Sequence, residues 1–169
     1  MAIRKVRKIG DPVLRETSSN VADIDKSVLG LVSDMLDTLE NEGGVGLAAP
    51  QIGITKRIII VRYEDKVDTY INPEIEALEN KKVEEDEGCL SIYSIQGFQV
   101  KRYPKIKIKA TNLKGNTEEF IVEDLLARVI QHEMDHLNGI MFIDHLGAAS
   151  RRELLEKINE IKSNQKGYI

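Results

Sequence analysis

A chain of 169 residues fits one domain with an ordinary core, and its single cysteine, Cys89, rules out an internal disulfide. Hydrophobic residues make up 41% and charged residues 31%, and no apolar run approaches the length needed to cross a bilayer, so a membrane-spanning protein is not expected. The net charge of −4 argues against specific DNA as a ligand, since phosphate binding needs a clustered positive field.

Met1-Ala2-Ile3-Arg4-Lys5 is followed by more charge rather than an apolar secretory core, so a cytoplasmic protein is the default. Leu29, Val32, Leu36 and Leu39, widened by Leu31 and Met35, recur at helical spacing and predict an amphipathic helix over 26–39. Asn41-Glu42-Gly43-Gly44 ends it. Val45 to Gln51 reads as a loop of small residues with proline, leading into a buried strand at 57–61. Strand candidates follow at 68–71, 75–79, 82–85, 98–101, 105–109 and 118–121. Lys105-Ile106-Lys107-Ile108-Lys109 alternates, so one face is buried and the other wet, and Asn112 to Asn116 is a hairpin turn. The acidic block Glu84-Glu85-Asp86-Glu87 reads as a solvated face. A helix spans about 122–137, stopped by Asn138-Gly139, and a last helix near 149–163 puts Leu154, Leu155, Ile158 and Ile161 on one face. The sum is a single α+β domain over 1–169, mostly antiparallel sheet packed around a central helix, with helices near both ends.

That central helix carries the chemistry. His132 and His136 are four residues apart, about 400° of helical rotation, so both imidazoles leave one face. Glu133 lies beside them, close enough to reach a metal-bound water. This is the His-Glu-x-x-His logic of metal-assisted hydrolysis. Catalytic sites typically take three protein ligands. His145 is nine residues past His136 and off the metzincin spacing. Cys89, directly after an acidic block and Gly88, is a poor core residue and the better third ligand. A Cys-His-His set favours Fe(II), Zn(II), Ni(II) or Co(II) over Mg(II) or Ca(II).

Three separated motifs make the resemblance specific: Gly44-Val45-Gly46-Leu47-Ala48-Ala49-Pro50-Gln51, Glu87-Gly88-Cys89-Leu90-Ser91 and Gln131-His132-Glu133-Met134-Asp135-His136. In order and spacing they resemble the peptide deformylases, which remove the formyl group from the starting methionine of new bacterial and organellar polypeptides. The resemblance implies one divalent ion per chain, Fe(II) in the cell, held by Cys89, His132 and His136 with a water as fourth ligand. Glu133 would be general base and then general acid. Gln51 and the backbone N–H of Leu90 would face the developing oxyanion.

Val45, Leu125 and Val129 would line an apolar pocket for methionine. Gly46 and Gly88 would let an extended N-formylmethionyl peptide approach closely. The sequence departs from the family after Ser91: Tyr93 stands where proline is usual, and one extra residue separates Gly97 from Arg102, a residue that a β-bulge would absorb. Altered substrate preference is expected. The competing readings are a metallopeptidase and a non-catalytic protein with a structural metal site. Arg151, Arg152, Lys157, Lys162 and Lys166 suggest ribosome docking through the last helix, diluted by Glu153, Glu156 and Glu160. The cytoplasm of a bacterium, or an organelle after removal of a transit peptide, is the expected location.

Overall fold

The computed structural model describes residues 1–166, the Lys166 side chain excepted. A five-stranded antiparallel sheet has the order β1 (Gly46–Ala48), β2 (Ile58–Tyr63), β3 (Lys66–Ala77), β6 (Lys105–Thr111), β7 (Thr117–Glu123). β4 (Val83–Glu87) and β5 (Phe98–Arg102) form a separate two-stranded ladder. Three α-helices, α1 (Lys26–Glu42), α2 (Asp124–Leu137) and α3 (Ala148–Lys166), complete the α+β domain, and no described helix is long and apolar enough to cross a membrane.

The apolar run of β2 explains the layering. Successive side chains of a strand point to opposite faces, so Ile58 and Ile60 meet Val32, Met35 and Leu39 of α1, while Ile59 and Val61 meet Ile130, Met134 and Leu137 of α2. The sheet is therefore buried on both faces here, which is why its sequence does not alternate. In β6 the expected alternation holds, with Ile106 and Ile108 buried in the α2 core. A third core joins Phe98 and Val100 of β5 to Leu154 and Ile158 of α3.

Some expectations need correction. The two strand candidates at 68–71 and 75–79 are one strand, β3, whose pairing with β6 shifts register between Ile71 and Glu74. The sheet edge β1 arises within the stretch read as a loop, followed by a 3-10 turn over Ala49–Ile52. Three residues are too few to carry a period. Val122 and Glu123 belong to β7, so α2 begins at Asp124. Leu29 and Leu155 are exposed although both fall on predicted apolar faces. The extra residue before Arg102 is not a bulge: β4 and β5 pair without a shift from Val83↔Arg102 to Glu87↔Phe98. In the connection before β5, Tyr93, Ser94 and Gly97 have left-handed backbones at φ 55°, 54° and 94°. Proline, fixed near φ −65°, could not occupy the backbone at Tyr93.

Candidate metal centre and its cleft

Cys89 follows β4 and is buried, while His132 and His136 project from one face of α2 toward it. Ligand atoms of the three lie within 4.8 Å of one another, and the Cys89 Sγ is 3.4 Å from His136 Nε2. One sulfur and two imidazole nitrogens converging on a buried point fit a borderline divalent ion. His132 Nδ1 is engaged by Glu87 Oε1 at 2.7 Å, which leaves Nε2 for an ion. Such an outer carboxylate fixes the tautomer and raises the basicity of a ligating histidine.

Electrostatics agree with this geometry. Burial alone would push the Cys89 thiol up, but His136 and His132 pull it well below its ordinary range. Burial likewise opposes charge on His132, yet Cys89 and Glu87 raise it well above the usual imidazole value. The site thus favours a thiolate, the ligating form of cysteine, and a bound cation would replace the protons on the histidines. Glu133 is pushed up to about 7, first by burial and against the pull of the two histidines. Its Oε2 is buried with no protein partner among the described residues.

Gln51 is pinned by its own amide. Ala48 N–H donates to its Oε1 at 2.9 Å, and its Nε2 donates to Ser91 Oγ at 3.1 Å and lies 3.8 Å from Cys89 Sγ. The small residues of the Ala-Ala-Pro turn bring it there. Leu90 opens a 3-10 turn over Leu90–Ile92, so its N–H has no acceptor within that turn.

These groups open on a cleft of about 460 Å³ whose walls include Val45, Gly46, Gly88, Leu125 and Val129. Val45 and Leu125 are 54% and 59% exposed, so they form an apolar rim that a ligand can cover. The space beside the two glycines is already used. A Cβ at Gly46 would sit 2.6 Å from Glu133 Oε1, and one at Gly88 would collide with the Gln96 side chain.

Sequence reasoning missed the support behind the ligands. Glu84, Glu85 and Asp86 are exposed as expected, but Glu87 is buried. It takes bonds from Arg102 Nε at 2.8 Å and Arg128 Nη1 at 2.8 Å as well as engaging His132. Val83 and Glu85, on the same face of β4, are exposed, so no alternation in the sequence marked Glu87 as buried. His145 is not among the converging ligands; it bonds Asp135 Oδ2 at 2.8 Å, which also receives Arg102 Nη1.

Comparison with known proteins bears on the whole chain. Residues 3–152 match the family model described as polypeptide deformylase. A peptide deformylase of Caldanaerobacter subterraneus subsp. tengcongensis is 42% identical over 161 residues, covering 95% of this chain and 100% of that protein. The crystal structure of a peptide deformylase from Legionella pneumophila superposes with TM-score 0.91 at 36% identity, covering 98% of each chain. One from Synechococcus elongatus, in complex with actinonin, gives 0.86 at 36% identity over 91% of this chain and 85% of that one. A match that runs through all three sequence motifs, in a shared fold, leaves no ambiguity of kind: the chain belongs to the polypeptide deformylase family.

Proposed function

We propose that this protein is a metal-dependent amide hydrolase that removes the formyl group from the N-terminal formylmethionine of nascent polypeptides, releasing formate. The observation that carries the reading is the joining of a buried Cys-His-His donor set with a carboxylate and an apolar-rimmed cleft. Cys89, His132 and His136 would hold one divalent ion, Fe(II) in the cell and replaceable by Zn(II), Ni(II) or Co(II). When bound it supplies Lewis-acid polarisation of a water and of the formyl oxygen.

The remaining work belongs to the chain. Glu133, with a proton affinity near neutrality, accepts the water's proton as the water oxygen bonds to the formyl carbon. Gln51 Nε2 and the Leu90 N–H donate to the oxygen on which negative charge builds. Glu133 then delivers the proton to the amine nitrogen as the C–N bond breaks, giving formate and a free amino terminus. Val45, Leu125 and Val129 receive the methionine side chain, while the peptide runs extended along the cleft. The domain 1–169 would act as one catalytic unit.

Anaerobically purified protein should release formate from formyl-Met-Ala-Ser in proportion to its bound metal. Release of methionine from an unformylated peptide, without formate, would instead establish the metallopeptidase. A structural metal site, normally closed by four protein ligands, predicts neither product. The substrate emerges from ribosomes, in a bacterial cytoplasm or an organelle, and exposed Arg151, Arg152 and Lys157 on α3, interspersed with Glu153, Glu156 and Glu160, are the cations that would contact them. The Lys166 side chain lies outside the described residues. Salt-sensitive co-sedimentation with ribosomes should be lost on deleting residues 151–169; its survival would remove docking through this helix.

A further inference from the structure

The Leu90 N–H can serve an oxyanion only if its peptide plane is held. The Cys89 carbonyl, on the opposite side of the same planar unit, accepts from Ile92 N–H at 2.9 Å and from Ser94 N–H at 3.0 Å. Those two bonds turn the Leu90 N–H away from them. The second depends on an unusual backbone, because Tyr93 and Ser94 are consecutive left-handed residues without being glycine. Such conformations persist only where surrounding structure over-determines them.

The N-terminal segment provides that surrounding structure. Lys8 Nζ donates to the Leu90 carbonyl at 2.6 Å and lies 5.4 Å from the centroid of the Tyr93 ring. One ammonium therefore grips the peptide after Leu90 and the left-handed residue that closes the turn. The segment is itself anchored on both sides. Arg7 N–H donates to the Gln51 carbonyl at 2.7 Å, and Ile9 N–H to the Ser91 carbonyl at 2.8 Å. Residues 7–9 thus bind the backbones of both groups assigned to the oxyanion.

We propose that Lys8 is a positioning residue that holds the Leu90 amide in its oxyanion-facing orientation by clamping the Leu90 carbonyl and the Tyr93 ring together. The inference rests on the roles given to Leu90 and Gln51 above. Lys8 is half-buried and its ammonium bonds the Leu90 carbonyl and the Tyr93 ring rather than Cys89, His132 or His136, so its loss should leave metal content intact.

The test compares metal-loaded wild type, Lys8→Met, which keeps an apolar stem, and Lys8→Arg, which keeps a cation able to donate and stack. Lys8→Met should lower kcat for formyl-Met-Ala-Ser about tenfold with KM within about twofold, because an amide used in the transition state is misaligned. Lys8→Arg should recover most of kcat. Amide hydrogen exchange at Ser94 should quicken in Lys8→Met and not in Lys8→Arg. An unchanged kcat in Lys8→Met, or unchanged Ser94 exchange, overturns this proposal alone. A wild type that releases no formate overturns it together with the functional reading on which it rests.

Discussion

At Gly46 the missing side chain is a catalytic matter rather than a backbone one. An added Cβ would press to 2.6 Å on Glu133 Oε1 and 3.0 Å on Val129 Cγ1. Glu133 lines the cleft, so yielding would turn its carboxylate away from the place where it meets the donor set. Gly46→Ala should therefore retain bound metal while lowering kcat by about tenfold to a hundredfold, since small displacements of a reacting group are costly. Metal analysis alongside formate release checks this, and loss of metal would point to wider damage at the ligands. Glu133→Gln is the sharper companion. It keeps the volume and removes the proton carrier, so kcat should fall on the order of 10²–10⁴-fold with metal retained. Equal activity would end the general-base assignment.

The helix and ladder that meet at the site are joined by buried charge. Glu87 on β4 is bonded by Arg102 of β5 and by Arg128 and His132 of α2, and Arg128 also donates to the carbonyls of Val100 and Val83. Burial would raise the Glu87 carboxyl, but bonds to His132 and Arg102 outweigh it and hold the group well below the carboxylate range. A depressed folded value means that the contribution is complete above the unfolded value of about 4.3 and is lost as pH falls below it. Urea midpoints of the metal-free protein should therefore decline below about pH 4 in wild type and less steeply in Glu87→Gln. At pH 7 Glu87→Gln should cost about 1–3 kcal/mol, because two buried guanidinium groups lose their shared anion while Arg102 keeps Asp135 and Arg128 keeps Glu85 and the two carbonyls. A midpoint unmoved at pH 7 would show the network to be dispensable. None of this was legible locally. Glu87 is the fourth acid of a run, and its arginines arrive from 15 and 41 residues away through strand pairing and helix docking. By contrast α2 was readable almost to its ends, because the same period that buries Ile130 and Met134 also aligns His132 with His136. The β1 edge was not, since three residues show no period until β2 pairs with them.

Across the molecule, the donor set ties parts that pack in different cores. Cys89 belongs with Ile92, Phe98 and Phe142 beside α3, whereas α2 is seated on the sheet through Ile130, Met134 and Leu137. The C-terminus of α2 is held separately, by Arg57 Nη1 donating to the Leu137 carbonyl at 3.1 Å and to Asn138 Oδ1 at 3.0 Å. The α+β architecture was legible from alternating strands and three helical periods, but which cores share the site depends on the chain path between them. A cation bridging Cys89 to the two histidines would couple the β4–β5 unit to the sheet and helix layers in one cooperative unit. Ligand at a hundredfold excess over its dissociation constant stabilises by about 2.7 kcal/mol. For a domain of this length each kcal/mol moves Tm by about 2–4 °C. Stripping the metal with a chelator should therefore lower Tm by roughly 5–10 °C, restored by Zn(II) or Ni(II). Cys89→Ser should melt close to the stripped protein and respond little to added metal, because serine is a poor ligand for these ions. Coincident melting of loaded and stripped wild type would mean that the cation adds no connection between the cores.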